Sequence, residues 1–551
     1  MNHLYYGDNL RVMRESIADE SVDLIYLDPP FNSNASYNVL FRGPSGTESA
    51  AQLEAFDDTW HWTDAAEEAF GEVLRSGNGN AAEMLRAMRS FLGENDMMAY
   101  LAMMAVRLLE LHRVLKPDGS LYLHCDPTAS HYLKIMMDAV FGARNFRNEI
   151  IWKRTSAHSS AKRFGPVHDT ILFSTKSDNY KWNKAFQPIP QETIDSWYNN
   201  IESSTGRRYN RADITAAGKR SGPSGQPWRG INPTDKGRHW AIPGYLELGN
   251  LPAQEALDVL DKQNRLHWPK KKDGMPMFKR YLDESPGIPA LDVITDIAPL
   301  NNVARERLGY PTQKPVALLE RIVAASSNEG DVVLDPFCGC GTTVHAAEEL
   351  GRQWIGIDVT HLAIGLIEKR LRDAFPKVEF TTHGVPQDLA GARDLAQRGR
   401  EDSNYYFEFE KWALSLINAQ PGNLSKKGAD RGIDGNIYFG KTNRAIVSVK
   451  AGDNIGVSMI RDLRGVIERE KADIGIFLTL NPPKQTMITE AAAAGQYELE
   501  GFSPVPRIQI VTVEDALELR DRSVRLPARR DDTFKRASKA ERAGNQGALD
   551  L

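Results

Sequence analysis

Cysteine is scarce in this sequence of 551 residues, which contains three: Cys125, Cys338 and Cys340. Three cysteines cannot build a disulfide framework, and they are too few for a structural zinc site with four cysteine ligands. The sequence also has no apolar run as long as a membrane span, and its first residues, MNHLYYGDNL, lack the basic and apolar regions of a signal peptide. These absences predict a cytoplasmic protein without a membrane partner.

Charge is nearly balanced overall, with 68 Lys and Arg against 73 Asp and Glu, but it is unevenly distributed. Residues 151–280 have a clear surplus of basic side chains. The segment around them is rich in Gly, Pro and Asn and contains Trp152, Trp182, Trp197, Trp228, Trp240 and Trp268. A basic, Trp-containing segment indicates a polyanion-binding region, although a loop-rich domain with a solvated basic face explains the same composition.

Two stretches of the chain alternate short apolar strands with helical patterns. Residues 1–150 have this alternation, and residues 316–375 repeat it around a Gly-rich turn. Alternating strands and helices predict a parallel sheet with helices on both faces. The predicted fold class is therefore α/β, in which the two stretches form halves of one doubly wound sheet that is interrupted by the basic insertion.

The motif Asp28-Pro29-Pro30-Phe31 directly follows the predicted strand Val22–Leu27. Open α/β sheets bind ligands at the carboxyl ends of their strands. Two consecutive prolines donate no backbone hydrogen bonds, so the Asp28 carboxylate and the Pro29 carbonyl can accept both protons of one amino group, while Phe31 offers a ring for stacking. A strand-terminating turn with a buried Phe explains the motif equally well when it is considered alone.

The second motif, D-P-F-C-G-C-G-T-T at 335–343, lies between a predicted strand and a helix. Glycines at such a turn allow a ligand to approach the backbone, and the helix N-terminus favours negative charge. Asp358 ends the next strand, where an acidic side chain can bind ribose hydroxyls. These features predict an adenosine-containing cofactor. The spacing departs from G-x-G-x-x-G, which disfavours a nicotinamide dinucleotide.

Together with Y-P-T-Q-K-P at 310–315, these motifs resemble the β-class S-adenosylmethionine-dependent DNA amino-methyltransferases, and type III modification subunits in particular. In that family D-P-P-[YF] comes first, and a target-recognition segment, T-x-K-P and the cofactor turn follow. The same permuted order occurs here, over about residues 1–375. The resemblance implies a Rossmann-like methyltransferase with its catalytic half at 1–150, an inserted target-recognition region at 151–300 and its cofactor-binding half at 301–380.

The resemblance also implies roles for individual residues. Asp28, Pro29, Pro30 and Phe31 would hold the target base, and Phe31 replaces the commoner Tyr of the family. The residues implied in binding S-adenosylmethionine are Asp8, Thr312, Lys314, Asp335, Phe337, Gly339, Gly341, Thr342 and Asp358. Among these, Asp358 would bind the ribose, whereas Thr312 and Lys314 belong to the motif that contacts the methionine end. Asp8 is equally well explained as the N-cap of the following helix.

The implied reaction is methyl transfer to an amino group of a base that is flipped out of double-stranded DNA. Within the family an Asp opening the motif usually accompanies adenine N6, and a Ser accompanies cytosine N4, so Asp28 favours adenine. Cytosine N4 is the alternative, and protein glutamine or RNA is a further one. The DNA recognition sequence cannot be derived from these motifs, and a restriction subunit or a homodimer partner is left open.

A further unit is predicted at 403–525, after a polar linker at 381–402 and before a charged tail at 526–551 that we expect to be disordered. Its motif G-A-D-R-G-I-D-G at 428–435, followed by V-S-V-K at 447–450, resembles the Mrr-type branch of the restriction-endonuclease-like fold. The resemblance implies a second α/β domain with Glu410, Asp434 and Lys450 as its nuclease residues. Asp434 would then bind Mg²⁺.

One departure from the nuclease pattern concerns the metal. The family has Glu, Asp or Gln two residues before the Lys, where this chain has Ser448. A neutral hydroxyl is a poorer Mg²⁺ ligand than a carboxylate. Three interpretations therefore stay open: a bifunctional restriction–modification enzyme, a methyltransferase with an inactive nuclease fold that binds DNA, and a DNA-binding regulator that has kept both folds.

Overall fold

The computed structural model describes the chain except for several short stretches and the C-terminal tail. The residues outside the described part are 31–35, 43–47, 58–60, 156–161, 163, 247, 249, 272–273, 302–303, 305, 309–312, 402–406, 423–431 and 528–551. The tail that was predicted to be disordered therefore lies outside the described residues from 528 onward. Among the residues that are described, no helix has both the length and the apolar character needed to cross a membrane.

Residues 1–183 contain strands and helices, but the alternation predicted for 1–150 is interrupted by three consecutive strands and three consecutive helices. Their elements are β1 (Asn2–Tyr6), α1 (Asn9–Ser16), β2 (Val22–Leu27), β3 (Ser36–Arg42), β4 (Glu48–Asp57), α2 (Asp64–Arg75), α3 (Gly79–Leu92), α4 (Asp96–Val114), β5 (Leu115–Cys125), α5 (Ser130–Phe141), β6 (Phe146–Lys153) and β7 (His168–Thr175). Every residue of β2 is buried, which explains why all are apolar except Asp23, whose carboxylate pairs with Lys116 and Lys181. Lys116–Gly119 has the Pro and Gly of a turn but is part of β5, because an irregularity in its pairing with β2 accommodates these residues.

Residues Lys184–Leu291 form a compact unit of their own. Its elements are β8 (Phe186–Gln187), α6 (Gln191–Trp197), β9 (Asn200–Ile201), β10 (Arg208–Asp213), β11 (Thr215–Ala217), β12 (Arg238–Trp240), α7 (Ala253–Lys262), β13 (Leu266–His267), β14 (Met277–Tyr281) and β15 (Ile288–Pro289). The central antiparallel sheet has the order β13-β14-β10-β9. This unit is narrower than the insertion predicted at 151–300, because β6 and β7 pair within the main sheet of the first unit.

The chain then returns to complete the main sheet. The elements are β16 (Val293–Ile294), α8 (Val316–Ser326), β17 (Val332–Asp335), α9 (Thr342–Glu349), β18 (Gln353–Asp358), α10 (His361–Ala374) and β19 (Phe380–His383). The nine strands have the order β16-β6-β7-β5-β2-β17-β18-β1-β19, and β7 alone among them runs antiparallel to both of its neighbours. The doubly wound sheet predicted from sequence is confirmed.

The pairing of β2 with β17 joins the two predicted halves of the sheet. Leu24 lies opposite Val333 and Ile25 lies opposite Leu334, in parallel register. One face of the sheet packs on α4 and α5 and the other packs on α8 and α10, each through a cluster of buried apolar side chains. Because paired parallel strands end at the same edge, this register brings the residues after Leu27 beside those after Leu334.

The C-terminal elements form a second α/β arrangement. They are α11 (Leu389–Glu401), α12 (Glu408–Leu416), β20 (Gln420–Pro421), β21 (Gly435–Phe439), β22 (Asn443–Lys450), α13 (Val457–Arg469), β23 (Ile474–Thr479), α14 (Gln485–Ala492), β24 (Gln496–Tyr497), β25 (Val505–Pro506), β26 (Ile508–Thr512) and α15 (Val513–Leu519). The five-stranded sheet has the order β20-β21-β22-β23-β26, and its last three strands are parallel.

The segment 381–402 differs from the predicted linker. It contains the end of β19 and helix α11, and this helix buries Ala392, Leu395 and Ala396. The polar residues that suggested a linker occupy the other side of the helix. A short apolar stripe is enough to form a packed helix even when most of its residues are polar.

Candidate active site

The D-P-P turn begins where β2 ends. Asp28 is largely buried, with 18% of its side chain exposed, and its Oδ2 accepts a hydrogen bond of 2.5 Å from Lys314 Nζ. The Lys314 side chain is 8% exposed. Phe31, the aromatic residue of the predicted motif, lies outside the described residues. Of the four residues of the D-P-P-F motif, the structure therefore describes Asp28, Pro29 and Pro30.

The Asp28–Lys314 ion pair was not predicted. The family resemblance assigned Lys314 to the methionine end of the cofactor and Asp28 to the target base, with 286 positions between them in sequence. Thr312, the other predicted residue of that motif, lies outside the described residues. The ion pair shows that the T-x-K-P and D-P-P motifs meet at one point of the sheet edge.

The glycine turn follows β17 and wraps around the carboxylates of Asp335 and Asp358. Asp335 Oδ1 accepts the Phe337 N–H at 3.0 Å, and Asp358 Oδ2 accepts the Gly339 N–H at 2.9 Å. Gly341, the N-cap of α9, has φ +75°, and a Cβ on it would lie 2.8 Å from Ile367 Cγ1. Only glycine fits that conformation and space without strain.

The turn crowds acidic groups into a buried site. Burial, and to a smaller extent the charges of Asp28 and Asp358, raise the pKa of Asp335 to about 7 against the opposing hydrogen bonds from Thr343 and Phe337. Burial also raises the pKa of Asp358 to about 6. With these carboxyls ionised the site has a surplus of negative charge, so it is suited to a ligand that carries positive charge.

These raised pKa values predict a pH-dependent stability of the ligand-free protein. An acid that is harder to ionise in the folded state than in the unfolded state stabilises the fold at low pH, and this contribution is lost as the pH rises through the window between the two pKa values. For Asp335 that window runs from about 4 to about 7. An Asp335→Asn variant should therefore gain thermal stability relative to wild type as the pH rises from 4 to 8. A constant difference in melting temperature between the two proteins across this range would contradict the prediction.

The two cysteines of the turn are structural. Cys338 and Cys340 are buried, and burial raises the pKa of both thiols, which keeps them neutral. Arg370 donates to the Cys340 carbonyl at 3.0 Å and to Thr342 Oγ1 at 3.1 Å, so it fixes the start of α9. Among the described residues, no cluster of His, Cys, Asp and Glu could hold a metal ion.

Asp8 is the N-cap of α1, which is one of the two roles that the sequence left open. Its Oδ1 caps α1 by accepting the Arg11 N–H at 3.1 Å, and its Oδ2 pairs with Arg107 at 2.7 Å. The adjacent Asn9 donates to the Pro336 carbonyl at 2.8 Å and accepts from Arg107 Nε at 2.6 Å. Asn9 and Arg107 were missed by the sequence analysis: Asn9 connects the start of α1 to the glycine turn, and Arg107 on α4 holds Asn9 in place.

Comparison with known families agrees with this geometry. Residues 22–369 match the family model described as DNA methylase, and this region includes the D-P-P turn, Lys314, the glycine turn and Asp358. The chain belongs to the DNA methylase family. The catalytic unit is therefore a DNA methylase of the N6/N4 class, and residues 402–500 match a second model, described as restriction endonuclease.

Three relatives show the kinds of DNA methyltransferase to which this chain is similar. The type II methyltransferase M.EcaI of Enterobacter cloacae is 30% identical over 371 residues, which cover 67% of this chain and 69% of that protein. The Mod subunit of the type III restriction-modification enzyme StyLTI of Salmonella typhimurium is 26% identical, over 63% of this chain and 50% of its own length. The DNA adenine methyltransferase YhdJ of Escherichia coli is 24% identical, over 72% of this chain and 91% of that protein.

The endonuclease-like domain of the methylase brings two of its three predicted residues together. Asp434 is buried just before β21, and Lys450 ends the neighbouring strand β22. Asp434 Oδ2 accepts from the Val449 N–H at 2.6 Å, from Ser448 Oγ at 3.3 Å and from Lys450 Nζ at 3.5 Å. Glu410, the third predicted residue, lies in the first turn of α12, a helix that packs against β22.

Proposed function

We propose that this DNA methylase transfers a methyl group from S-adenosylmethionine to adenine N6 in double-stranded DNA after flipping the base out. The observation that carries the proposal is the meeting of the D-P-P turn and the glycine turn. Asp28 follows β2, Asp335 ends β17, and these strands are paired neighbours. A base held by one turn would therefore lie beside a cofactor held by the other.

The residues of the glycine turn fit S-adenosylmethionine. Asp358 would bind its ribose, Gly339 and Gly341 would leave room for it against the backbone, and the acidic surplus suits its sulfonium charge. Lys314 would attract the methionine carboxylate. When bound, the sulfonium supplies an electrophilic methyl group, so the proposed transfer requires no metal and no covalent enzyme intermediate.

The chain's own contribution is to position the amino group. The Asp28 carboxylate and the Pro29 carbonyl would accept its two protons, which favours a lone pair on nitrogen over conjugation with the ring. These hydrogen bonds strengthen as positive charge develops on that nitrogen, so they stabilise the transition state more than the bound substrate. Phe31 is proposed to stack on the base. A base within a duplex cannot reach such a pocket, so it must leave the stack, at a cost of a few kcal/mol.

Adenine is the proposed target because Asp opens the motif, and the adenine specificity of YhdJ supports this choice. Cytosine N4 is the alternative. The test is single-molecule sequencing of DNA from cells that express the wild-type chain or the Asp28→Ala chain, combined with nucleoside analysis of the product. N6-methyladenine at a defined sequence, present with wild type and absent with Asp28→Ala, is the expected result. N4-methylcytosine alone would overturn the choice of adenine.

A second candidate function is Mg²⁺-dependent cleavage by the C-terminal domain. It is favoured by the contact of Asp434 with Lys450, since a carboxylate beside a lysine can bind a divalent ion and orient a hydrolytic water. Ser448 weakens the site, because its hydroxyl contacts Asp434 where the Mrr-type pattern has an acidic residue or Gln. Glu410 is proposed as the third member.

The cleavage proposal predicts how Ser448 limits the rate. We expect weak Mg²⁺-dependent cleavage of DNA by the wild-type chain, about tenfold faster cleavage by Ser448→Asp because a carboxylate is the better ligand, and none by Lys450→Ala. The measurement is nicking of supercoiled plasmid, either unmethylated or methylated by the chain itself. If neither substrate is cut by wild type or by Ser448→Asp, the domain is not a nuclease.

A further inference from the structure

A chain of polar side chains crosses four neighbouring strands of the methylase sheet. Tyr26 Oη lies 2.7 Å from His124 Nδ1, and His124 Nε2 lies 3.1 Å from Asp169 Oδ2. Arg154 completes it as an ion pair, with its Nε 3.1 Å from Asp169 Oδ1. Tyr26, His124 and Asp169 are each at most 2% exposed, so burial without these partners would be costly. The proposed methyl transfer uses none of the four.

This polar chain runs along the edge of the sheet that carries the active site. Tyr26 is on β2, two residues before Asp28, and His124 is near the end of β5, whereas Arg154 follows the end of β6. Because β7 is antiparallel, its second residue, Asp169, lies at that same edge, opposite Trp152. Strands β2 and β6 are three positions apart, which corresponds to about 14 Å.

Asp169 is electrostatically connected to the active site. Burial alone would raise the pKa of Asp169, but the His124 hydrogen bond and the charges of Lys314 and Arg154 outweigh it and lower the pKa. Asp169 is therefore ionised at neutral pH, and it lies within range of the same Lys314 that pairs with Asp28. An ionised buried carboxylate attracts an arginine, and here the contact is an ion pair by distance, without hydrogen-bond geometry at Asp169 Oδ1.

The ion pair with Asp169 leaves the outer part of Arg154 available. Its side chain is 40% exposed, and it faces Asp169 through Nε. Within the described part of the chain, no residue is hydrogen-bonded to its Nη groups. An arginine fork held in one orientation at a surface is suited to a phosphate, because its two outer nitrogens match two phosphate oxygens.

We propose that Arg154 binds a backbone phosphate of the DNA next to the flipped nucleotide, and that Asp169 positions Arg154 for this contact. The inference rests on the proposed function, since it requires that the base held at Asp28 belongs to DNA. Phosphate contacts of this kind hold the register of the DNA and contribute affinity without reading sequence.

The first test compares wild type, Arg154→Ala and Arg86→Ala on whole-genome-amplified bacterial DNA, with radioactive methyl transfer as the readout. Arg86 is a matched control, because it is an exposed arginine on α3 that pairs with Glu83. For Arg154→Ala we expect the KM for DNA to rise about tenfold while kcat changes less than twofold. The slope of log KM against log salt concentration should fall by about one, as for the loss of one phosphate contact. Arg86→Ala should match wild type.

The second test locates the phosphate. Duplex oligonucleotides that contain the sequenced methylation site carry a neutral methylphosphonate at one linkage at a time. One linkage beside the methylated base should weaken wild-type activity but leave Arg154→Ala unaffected. Asp169→Asn should also raise the KM for DNA, as Arg154→Ala does. Unchanged S-adenosylmethionine binding by calorimetry would show that this variant is folded.

The outcomes separate the two proposals. If wild type transfers no methyl group to DNA, the proposed function fails. If wild type is active but Arg154→Ala keeps its KM, its salt slope and its response to every methylphosphonate, the phosphate contact is wrong and the polar chain serves only to satisfy buried groups.

Discussion

Replacing Asp28 with Ala is expected to slow methyl transfer by a hundredfold to a thousandfold without weakening S-adenosylmethionine binding. The carboxylate is proposed to accept a proton of the target amino group, and loss of one such preorganised group in other enzymes has an effect of this size. Because Asp28 is proposed to contact the base and not the cofactor, its replacement should lower kcat. Radioactive methyl transfer measures the rate, and calorimetry measures cofactor affinity.

An Asp28→Asn variant tests whether charge or shape is responsible. Asn keeps the size of Asp and one acceptor oxygen. Its amide N–H groups, however, would face the amino group of the base, which is itself a donor. Asn also carries no charge to balance Lys314. We expect Asn to be nearly as inactive as Ala. An Asn variant with the wild-type rate would show that the negative charge is not needed, and a simple steric role for the turn would then suffice.

The elements and the two main turns could be predicted from sequence because local chemistry determines them. The buried strand β2 is apolar except for Asp23, the prolines end it, and Gly341 is required by its positive φ and by the nearby Ile367. Once both turns are assigned to carboxyl ends of parallel strands, their meeting follows from the fold class. This is why the D-P-P turn and the glycine turn are correctly placed at one edge of the sheet.

The contacts that were missed are those between residues far apart in sequence. Lys314 meets Asp28 across 286 positions, and Arg107 reaches Asp8 across 99. The polar chain from Tyr26 to Arg154 joins strands whose order in the sheet differs from their order in sequence. No spacing rule reveals such neighbours, because only the strand order brings them together.

The boundaries of the inserted region were also difficult to predict from sequence, because they depend on which strands pair in the main sheet. Strand β7 lies in a segment whose Trp, Gly and basic residues favour the interpretation of a separate domain, yet nearly all of its residues are buried in the main sheet. Of the tryptophans that suggested DNA contact, Trp152, Trp228 and Trp240 are buried, whereas Trp182, Trp197 and Trp268 are exposed. Composition therefore identified the inserted region, but it could not show which of its residues are buried and which are exposed.

Replacing Lys314 with Met is expected to lower both stability and activity. Removing one partner of a buried ion pair leaves the other charge uncompensated, at a cost of about 3 kcal/mol. That charge is Asp28, which has the carboxylate of Asp335 near it. Denaturant unfolding of the ligand-free protein measures the loss. Lys134→Met, which breaks the more exposed Lys134–Asp138 pair on α5, is the matched control and should cost about 1 kcal/mol or less.

The double variant Asp28→Asn/Lys314→Met separates stability from catalysis. With both charges removed, neither is left unpaired, so we expect most of the lost stability to return, with a coupling of about 1–3 kcal/mol between the two sites. Methyl transfer should stay as low as in Asp28→Asn alone, since the carboxylate that is proposed to hold the target amino group is still missing. Additive losses of stability would mean that the two side chains do not form the ion pair in solution, and the meeting of the two motifs would then lack its direct link.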